Sequence, residues 1–359
     1  MKIAVGLSGG VDSTVAASLL KERGDEVVGV TMTLGRVGEE TGLAETRRVA
    51  ERLGIPLHVF DLSDAWRANV LDYIRDTYLS GATPNPCVRC NETVKFGLLP
   101  KLAFELGCER FATGHYARIG KRDEGRGMRE EGRGMRAEGR GAVVLRRGVD
   151  RGKDQSYFLY RVKPEVLART VFPLGELTKE AVREKAREFG FEVADKGDSQ
   201  DFCGGDPMAV VGAAPREGDI VDVNGKVLGR HPGFWNYTIG KRKGLGIGGG
   251  TPYYVVGLDA ARNTVIVGFK EATVVRRFAI ADVVRLADGW TGPLTVKVRS
   301  AGEPKGPVVW DGGAEVTCPD GLSGVAPGQS AVFFDGDVVV GGGIVRQTEL
   351  RDGEGAVVT

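Results

Sequence analysis

The segment Ser8–Ser13 restricts the fold of this chain more than any other. Its sequence, Ser-Gly-Gly-Val-Asp-Ser, follows the apolar run Ile3–Leu7 and precedes the largely apolar run Thr14–Leu20. The two glycines let the backbone turn sharply and bring amide N–H groups close to a ligand. The start of a following helix adds unpaired N–H groups and a partial positive charge. The pattern therefore predicts a strand–loop–helix unit that binds phosphate.

The side chains of this loop favour a nucleotide phosphate as the ligand. Ser8 and Ser13 supply hydroxyl donors, whereas Asp12, which phosphate would repel, is expected to bind phosphate-associated Mg²⁺. The sequence lacks the Gly-x-x-x-x-Gly-Lys-Ser/Thr motif of kinases and GTPases and, at this position, the Gly-x-Gly-x-x-Gly fingerprint of dinucleotide folds. The loop resembles the pyrophosphatase loop of ATP enzymes that adenylate a substrate. A glycine-rich turn without a ligand is the alternative.

Composition limits the class of protein. A chain of 359 residues has room for two or three domains, and its 42% hydrophobic and 27% charged residues are typical of a globular protein. The net charge of +1 implies that any contact with nucleic acid uses local basic patches. We find no signal peptide and no apolar run of the ~18 residues that a membrane span needs, so we expect a cytoplasmic protein without a membrane partner. Without heptad repeats, we expect a monomer.

The first two hundred residues alternate β-like runs with helical patterns, and Asp64 is a candidate helix cap. The expected elements are strand 27–32, helix 45–53, strand 57–60, helix 65–78, helix 96–106 and strand 110–115. This order predicts an α/β fold with a doubly wound parallel sheet, whose ligands bind at the carboxyl ends of the strands. Met32 and Gly114 would lie at that edge beside the opening loop.

Changes in local composition and residue pattern divide the chain into three predicted domains. Within the first, residues 121–141 carry a glycine-rich repeat with a period of seven, and two glycines per repeat oppose a coiled coil, so a mobile loop is expected. After residue 205, valine-rich runs and the turn Asn224-Gly225 predict antiparallel hairpins and a small barrel. We expect the domains to be an α/β domain over 1–205, a small central β-rich domain over 206–272 and a C-terminal β-barrel over 273–359.

The cysteines, five in number, carry a second chemical signal. Cys87 and Cys90 follow a proline-rich approach on what should be a rigid turn, just before a helix whose start favours thiolates. Cys203 lies at the end of the α/β part. A structural zinc site would need a fourth ligand, and plain structural cysteines would not explain the prolines around a Cys-x-x-Cys pair. Sulfur chemistry, in which one thiolate attacks or holds sulfur and another resolves it, fits best.

Several segments, in one order, resemble the tRNA-specific 2-thiouridylases of the bacterial MnmA type, and the likeness covers nearly the whole chain apart from the repeat. They are 6–13, 83–86 with 90–91, 112–117, 153–158, 198–203, 237–246 and 325–329. The resemblance implies an α/β domain of the PP-loop ATP pyrophosphatase type. It also implies ATP-dependent conversion of the wobble uridine of tRNA to 2-thiouridine. The uridine would be adenylated first, with AMP and pyrophosphate released, and cysteine persulfide would deliver the sulfur.

The resemblance also implies roles for individual residues. Cys90 would be the nucleophile and Cys203 would carry the persulfide. ATP would bind to Gly6, Leu7, Ser8, Gly9, Gly10, Val11, Asp12, Ser13, Met32 and Gly114. The target base and the tRNA would contact Asn85, Pro86, Cys87, His115, Lys153, Asp154, Gln155, Arg299, Ser300 and Gln347. The expected partners are tRNAs for Lys, Glu and Gln and a sulfur donor, either a cysteine desulfurase or a relay protein.

One position departs from the family pattern, because many members carry Asp where this chain has Cys87. Cys87, Cys90 and Cys203 could together hold a 4Fe–4S cluster whose open iron delivers hydrosulfide, and this alternative stays beside the persulfide mechanism. An alternative of another class is a tRNA-binding sulfur-relay protein that does not adenylate its substrate.

Overall fold

The computed structural model describes residues 1–121, 143–191, 206–248, 250–290, 293–348, 350–351 and 357–358. The repeat and Cys203 lie outside these described residues. The N-terminal strands are β1 (Lys2–Gly6), β2 (Glu26–Thr33), β3 (Leu57–Asp61), β4 (Arg110–Ala112), β5 (Ala117–Lys121), β6 (Val143–Arg147) and β7 (Thr170–Val171). Five of them form a parallel sheet in the order β3-β2-β1-β4-β7, which confirms the predicted fold class.

Helices cover both faces of this sheet. They are α1 (Val11–Glu22), α2 (Glu39–Leu53), α3 (Ser63–Trp66), α4 (Asp72–Leu79), α5 (Pro86–Cys90), α6 (Leu99–Glu105), α7 (Pro164–Leu167) and α8 (Lys179–Glu188). In β1, Ile3 and Val5 pack with α1 and α2, whereas Ala4 packs on the opposite face with α6. Burial on both faces explains why β1 is continuously apolar. In the described ranges, no helix is both long enough and apolar enough to cross a membrane.

Several helix boundaries differ from the predicted ones, and the helix predicted over 45–53 already begins at Glu39. Asp64 lies in the first turn of α3, and Leu62 occupies the capping position. The Asp61 carboxylate accepts the N–H of Ser63, the first helical residue. A π-helical stretch joins α3 to α4, so this helix runs unbroken from 63 to 79. The predicted helix 96–106 begins only at Leu99, since another π-helical stretch occupies 91–95.

The central part is a small antiparallel unit with one parallel pair. Its elements are α9 (Pro207–Val211), β8 (Gly218–Asp222), β9 (Val227–His231), β10 (Tyr254–Asp259) and β11 (Thr264–Gly268). The sheet order is β10-β11-β8-β9. The predicted hairpin at Asn224-Gly225 is confirmed, and Gly225 has a φ of +83°, a conformation that favours glycine.

The C-terminal part is a barrel. Its strands are β12 (Val274–Arg285), β13 (Leu294–Lys297), β14 (Lys305–Val308), β15 (Glu315–Ser323), β16 (Ser330–Asp335) and β17 (Val338–Thr348), followed by the short pair β18 (Leu350–Arg351) and β19 (Val357–Val358). The order is β14-β13-β16-β17-β12-β15, and a bridge between Val309 and Thr317 joins the two end strands. Backbone hydrogen bonds therefore close the sheet on itself.

The α/β part and the barrel share one core. The hairpin β5–β6 leaves the α/β part and pairs with β17 of the barrel through Arg146 and Val338. Tyr157 and Tyr160, both fully buried, pack in the same cluster as Phe334 of β16. The barrel is thereby fixed against the side of the sheet where Cys87 and Cys90 lie.

Candidate active site

A cavity of about 300 Å³ opens at the carboxyl edge of the sheet, where small-molecule sites of parallel sheets lie. Its walls come from the phosphate loop (Ser8–Ser13), the end of β2 and the segment 113–115. Of the residues predicted to bind ATP, the cavity is lined by Gly6, Leu7, Ser8, Asp12, Ser13, Met32 and Gly114. Seven of the ten residues predicted to bind ATP thus surround one space, and Gly9, Gly10 and Val11 are not part of its lining.

The phosphate loop is held in shape by its own groups. The N–H of Ser8 donates to Ser13 Oγ at 3.1 Å, and the two serine hydroxyls lie 3.2 Å apart. Among the described residues, no side chain caps α1 at Gly10, so its first N–H groups face the loop. Gly114 approaches this turn so closely that a Cβ there would lie 2.7 Å from the carbonyl carbon of Asp12. A larger residue at 114 would displace the loop.

Asp12 is engaged in an ion pair. Its carboxylate oxygens lie 2.7 and 2.9 Å from Lys179 Nζ, and Tyr116 Oη donates to the same carboxylate at 2.8 Å. Lys179 is buried at the start of α8, 167 positions along the chain. Asp12 is thus paired with Lys179 in this arrangement, and its predicted role as a Mg²⁺ ligand stays a prediction.

His115 lies in the wall of the same cavity and is held neutral. Its Nδ1 is 2.8 Å from Thr113 Oγ1, and its ring packs against both Phe96 and Phe172. Burial, and secondly the positive charge of Lys95, hold the pKa of His115 well below its usual value. A neutral, buried imidazole forms part of the cavity wall. The predicted contact of this residue with tRNA stays a prediction.

Cys87 and Cys90 lie within a helix and not on the turn that we predicted before it. The thiol helix, Pro86–Lys95, consists of α5 and the π-helical stretch that continues it. Asn85 caps its start and Pro86 takes the first helical position, where a missing N–H costs nothing. Cys87 is exposed, whereas Cys90 is 6% exposed and packs in an apolar cluster.

The approach to the thiol helix is tied to the barrel. Gln329 Nε2 donates to the carbonyl oxygens of Thr83 and Pro84, at 3.2 and 2.7 Å. Asn85, which we predicted to contact the target base, is buried, and its Nδ2 donates to Tyr157 Oη at 3.0 Å. Tyr157 Oη donates in turn to the carbonyl of a barrel residue, Ser330. The barrel therefore positions the segment that carries the thiols.

Family models match most of the chain. The matches are to the tRNA methyl transferase HUP domain over residues 1–204, the tRNA methyl transferase PRC-barrel domain over 211–269 and the aminomethyltransferase beta-barrel domain over 280–345. Among curated relatives, the tRNA-specific 2-thiouridylase MnmA of Nostoc sp. is 42% identical, covering 96% of this chain and 99% of the relative. The chain belongs to the MnmA family of tRNA-specific 2-thiouridylases.

Other members of the MnmA family match over comparable lengths. The Bradyrhizobium sp. enzyme is 43% identical over 96% of this chain and 90% of its own. The enzyme of Endomicrobium trichonymphae is 41% identical over 96% of this chain and 99% of its own. The likeness to this family thus extends through all three parts of the chain.

The remaining residues that the MnmA resemblance assigned to tRNA lie in different surroundings. Asp154 is buried, and its carboxylate binds Arg147 Nε at 2.9 Å, whereas Lys153 is half-buried. Gln155 lines the nucleotide cavity, and its Oε1 accepts the N–H of Tyr116 at 3.0 Å. Arg299 and Ser300 are exposed beside the barrel loop at Gly324, and Gln347 lies in β17 with its side chain outside the described residues.

Two cations of this site escaped the sequence analysis. Lys179 is the first residue of α8, and the side chain of Thr178 caps that helix. Nothing in the sequence spacing links Lys179 to Asp12, 167 positions earlier. Lys95 lines the nucleotide cavity from the end of the thiol helix. Neither lysine lies in a helix that we predicted from the sequence, and only packing brings the two charges to the site.

Proposed function

We propose that this chain is an ATP-dependent tRNA-uridine 2-sulfurtransferase that acts on the wobble uridine. The observation that carries the proposal is the thiol helix itself. It begins with Cys87 and Cys90, and its last residue, Lys95, lines the cavity formed by the phosphate loop. A nucleotide cavity and a pair of thiols are therefore joined by one rigid element, and membership of the MnmA family supports a tRNA as the acceptor.

The chemistry accounts for the need for ATP. The O2 oxygen of uridine is a poor leaving group, so O2 first attacks the α-phosphorus of ATP, and the bond to pyrophosphate breaks. Sulfur then attacks C2 of the adenylated uridine, and AMP leaves with the oxygen. The loop N–H groups and the serine hydroxyls of Ser8 and Ser13 would bind the phosphates. The uridine must leave its stack, which costs little in a single-stranded anticodon loop.

Sulfur delivery is proposed to use a persulfide on Cys203. Its terminal sulfur attacks C2 and displaces AMP, and the Cys90 thiolate then attacks Sγ of Cys203, which releases 2-thiouridine. A Cys90–Cys203 disulfide remains, and an external dithiol must reduce it. Because Cys90 is 6% exposed, this step requires the apolar side chains over it to move when tRNA binds.

A 4Fe–4S cluster on Cys87, Cys90 and Cys203 is the second candidate for sulfur delivery. Cys87 and Cys90 stand three positions apart in one helix, which places both side chains on neighbouring parts of one face. Within the described residues, no three His, Cys, Asp or Glu side chains are grouped as a metal site, and Cys203 lies outside them. These two thiols fit a cluster in spacing, and a bound cluster would supply hydrosulfide.

The proposed division into an α/β domain over 1–205, a central domain over 206–272 and a barrel over 273–359 gives each part a task. The α/β domain would bind ATP and carry the thiols. The barrel would offer Arg299 and Ser300 to tRNA, since both are exposed. The central domain would contribute the exposed basic turn Lys241–Lys243. Phosphate contacts of this kind position a tRNA without reading its sequence.

Labelled ATP tests the adenylation step. Incubation with ATP labelled at the α-phosphate, tRNA bearing a wobble uridine and a persulfide donor should yield AMP and 2-thiouridine in equal amounts. The same tRNA with cytidine at that position is the control and should yield neither. Tight binding of tRNA without AMP formation would instead identify a sulfur-relay protein.

The variant Cys87→Asp separates the two routes of sulfur delivery. If persulfide is the carrier, the Cys87→Asp variant prepared in air without iron should thiolate tRNA as fast as the wild-type protein when a sulfurtransferase donor is supplied. If a cluster is the carrier, the anaerobic wild-type protein should contain iron and absorb visible light, and Cys87→Asp should lose both properties together with activity.

A further inference from the structure

The nucleotide cavity contains a cation that the proposed chemistry leaves without a task. Lys95 lies at the end of the thiol helix and lines the cavity together with Ser8, Ser13 and Gln155. Its side chain is half-buried. An ammonium group that is partly withdrawn from water loses hydration, and a neighbouring anion offsets that loss. The position of Lys95 therefore favours a site that an anion occupies.

The carboxylates that line this cavity are occupied elsewhere. Asp12 binds Lys179 through both oxygens. Glu39 accepts backbone N–H groups at the start of its loop and lies 3.5 Å from Arg36. Throughout the described ranges, neither carboxylate forms a salt bridge with Lys95. The cavity thus contains a half-buried ammonium group whose counter-ion is not one of these two side chains.

Lys95 shares the cavity with His115. The imidazole of His115 is buried in the cavity wall, and the positive charge of Lys95 helps to lower its pKa. A cation in bulk solvent would be screened from a buried ring. Lys95, His115 and the phosphate loop therefore line the same cavity.

The thiol helix also fixes the distance from this charge to the sulfur chemistry. Lys95 follows Cys90 by five positions. Both residues lie in one continuous helix, Cys90 at the end of α5 and Lys95 at the end of the π-helical stretch that follows it. An anion bound to Lys95 would lie in the cavity that the phosphate loop also lines, where the outer phosphates of ATP would bind, at the end of the helix that carries the thiols. The α-phosphate is the part of ATP that must reach this place.

We propose that Lys95 is a catalytic residue that contacts the α-phosphate and stabilises the transition state of uridine adenylation. The inference rests on the proposed function. As O2 bonds to the α-phosphorus and pyrophosphate departs, negative charge grows on the non-bridging oxygens, and a fixed ammonium group stabilises it. When sulfur attacks C2 and the C2–O2 bond breaks, the electron pair goes to the departing AMP, and Lys95 neutralises the same phosphate.

Two measurements on Lys95→Met test this role. The ratio of AMP affinity to adenosine affinity, from calorimetric titration, isolates the α-phosphate contact and should fall about tenfold, the loss of one charge-assisted hydrogen bond. The single-turnover rate of AMP formation from ATP and tRNA should fall on the order of 100-fold. Lys95→Arg keeps the charge and should retain most of the affinity ratio. Lys101→Met, which changes an exposed lysine on α6, is the matched control and should alter neither quantity.

The outcomes separate this inference from the proposed function. An unchanged affinity ratio in Lys95→Met overturns the contact with the α-phosphate, and a lower ratio with an unchanged rate of AMP formation overturns the catalytic role. If the ratio depends on Lys95 but wild-type protein forms no AMP with tRNA, the contact stands and the proposed function fails. Lys95→Arg answers the binding question should Lys95→Met not fold.

Discussion

The phosphate loop and the thiol helix lie in the same α/β part, but the loop is held from within that part and the approach to the thiol helix is held by the barrel. In the loop, Ser8 donates to Ser13, five positions along the chain. In front of the thiol helix, the carbonyls of Thr83 and Pro84 accept from Gln329, about 245 positions away. Contacts within the α/β part should survive changes in the barrel, whereas contacts from the barrel depend on how the two parts pack. Nucleotide binding should therefore be separable from the placement of the thiols.

The largest difference between the effect on thiolation and the effect on nucleotide binding is expected for Cys90→Ser. Thiolation should fall by at least about 1000-fold because the variant lacks the proposed nucleophile, while the affinity for an ATP analogue should stay within about twofold. Mass spectrometry of digested tRNA measures 2-thiouridine, and calorimetry measures the affinity. Cys108→Ser, at another buried cysteine, is the control and should remain active. Equal loss of nucleotide binding in Cys90→Ser would show that the two regions are coupled.

A smaller difference between these two effects is expected for Gln329→Ala, which removes the two hydrogen bonds to Thr83 and Pro84 in front of the thiol helix. A shift of this segment by about 1 Å should lower the rate of thiolation by roughly 10- to 100-fold and leave the affinity for the ATP analogue unchanged. Lys305→Ala, at an exposed position of the barrel, should change neither. A full thiolation rate in Gln329→Ala would mean that the barrel does not position the thiols.

Packing also affects the nucleotide cavity, because it buries the imidazole of His115 there. Burial lowers the pKa of His115 well below its usual value of about 6.5, so the unfolded chain binds a proton that the folded chain does not. The free energy of unfolding should therefore decrease as the pH falls below about 6.5, by up to about 1.4 kcal/mol per pH unit.

The variant His115→Gln should flatten this pH dependence. Urea unfolding at pH values from about 5 to about 7.5 measures it, and the lower limit of about 5 keeps most carboxylates ionised. His231 contributes in the same direction, because burial lowers its pKa as well. His58→Gln, at an exposed histidine, is the control. A slope that persists in His115→Gln would argue that this ring is not buried in solution.

The smallest effect is expected at Arg299, on the exposed surface beside the barrel loop. If it contacts a tRNA phosphate, Arg299→Ala should weaken tRNA binding only a few-fold and reduce the slope of log affinity against log salt by about 1. Gel-shift titrations at several salt concentrations measure both. Arg277→Ala, another exposed arginine, should leave the slope intact. An unchanged slope in Arg299→Ala would remove this residue from the proposed tRNA surface.

Sequence determined the parts of this protein that depend on short-range geometry. The strand–loop–helix unit at Ser8–Ser13 follows from two glycines between apolar runs, and the hairpin at Asn224-Gly225 follows from its turn residues. The start of the thiol helix was legible as well, since Asn85-Pro86 is a cap followed by proline at the first helical position. We interpreted these prolines as a rigid turn and so placed the helix too late.

Tertiary structure alone decided how these local units meet. Cys87 and Cys90 are three positions apart in one helix, yet packing of the apolar cluster around Trp66 buries the second and leaves the first exposed. Lys179 reaches Asp12 across 167 positions, and the pairing of β6 with β17 fixes the barrel against the α/β part. Periodicity reports which residues are apolar and where a chain turns. Which distant charges and surfaces come together depends on the packing of the complete chain.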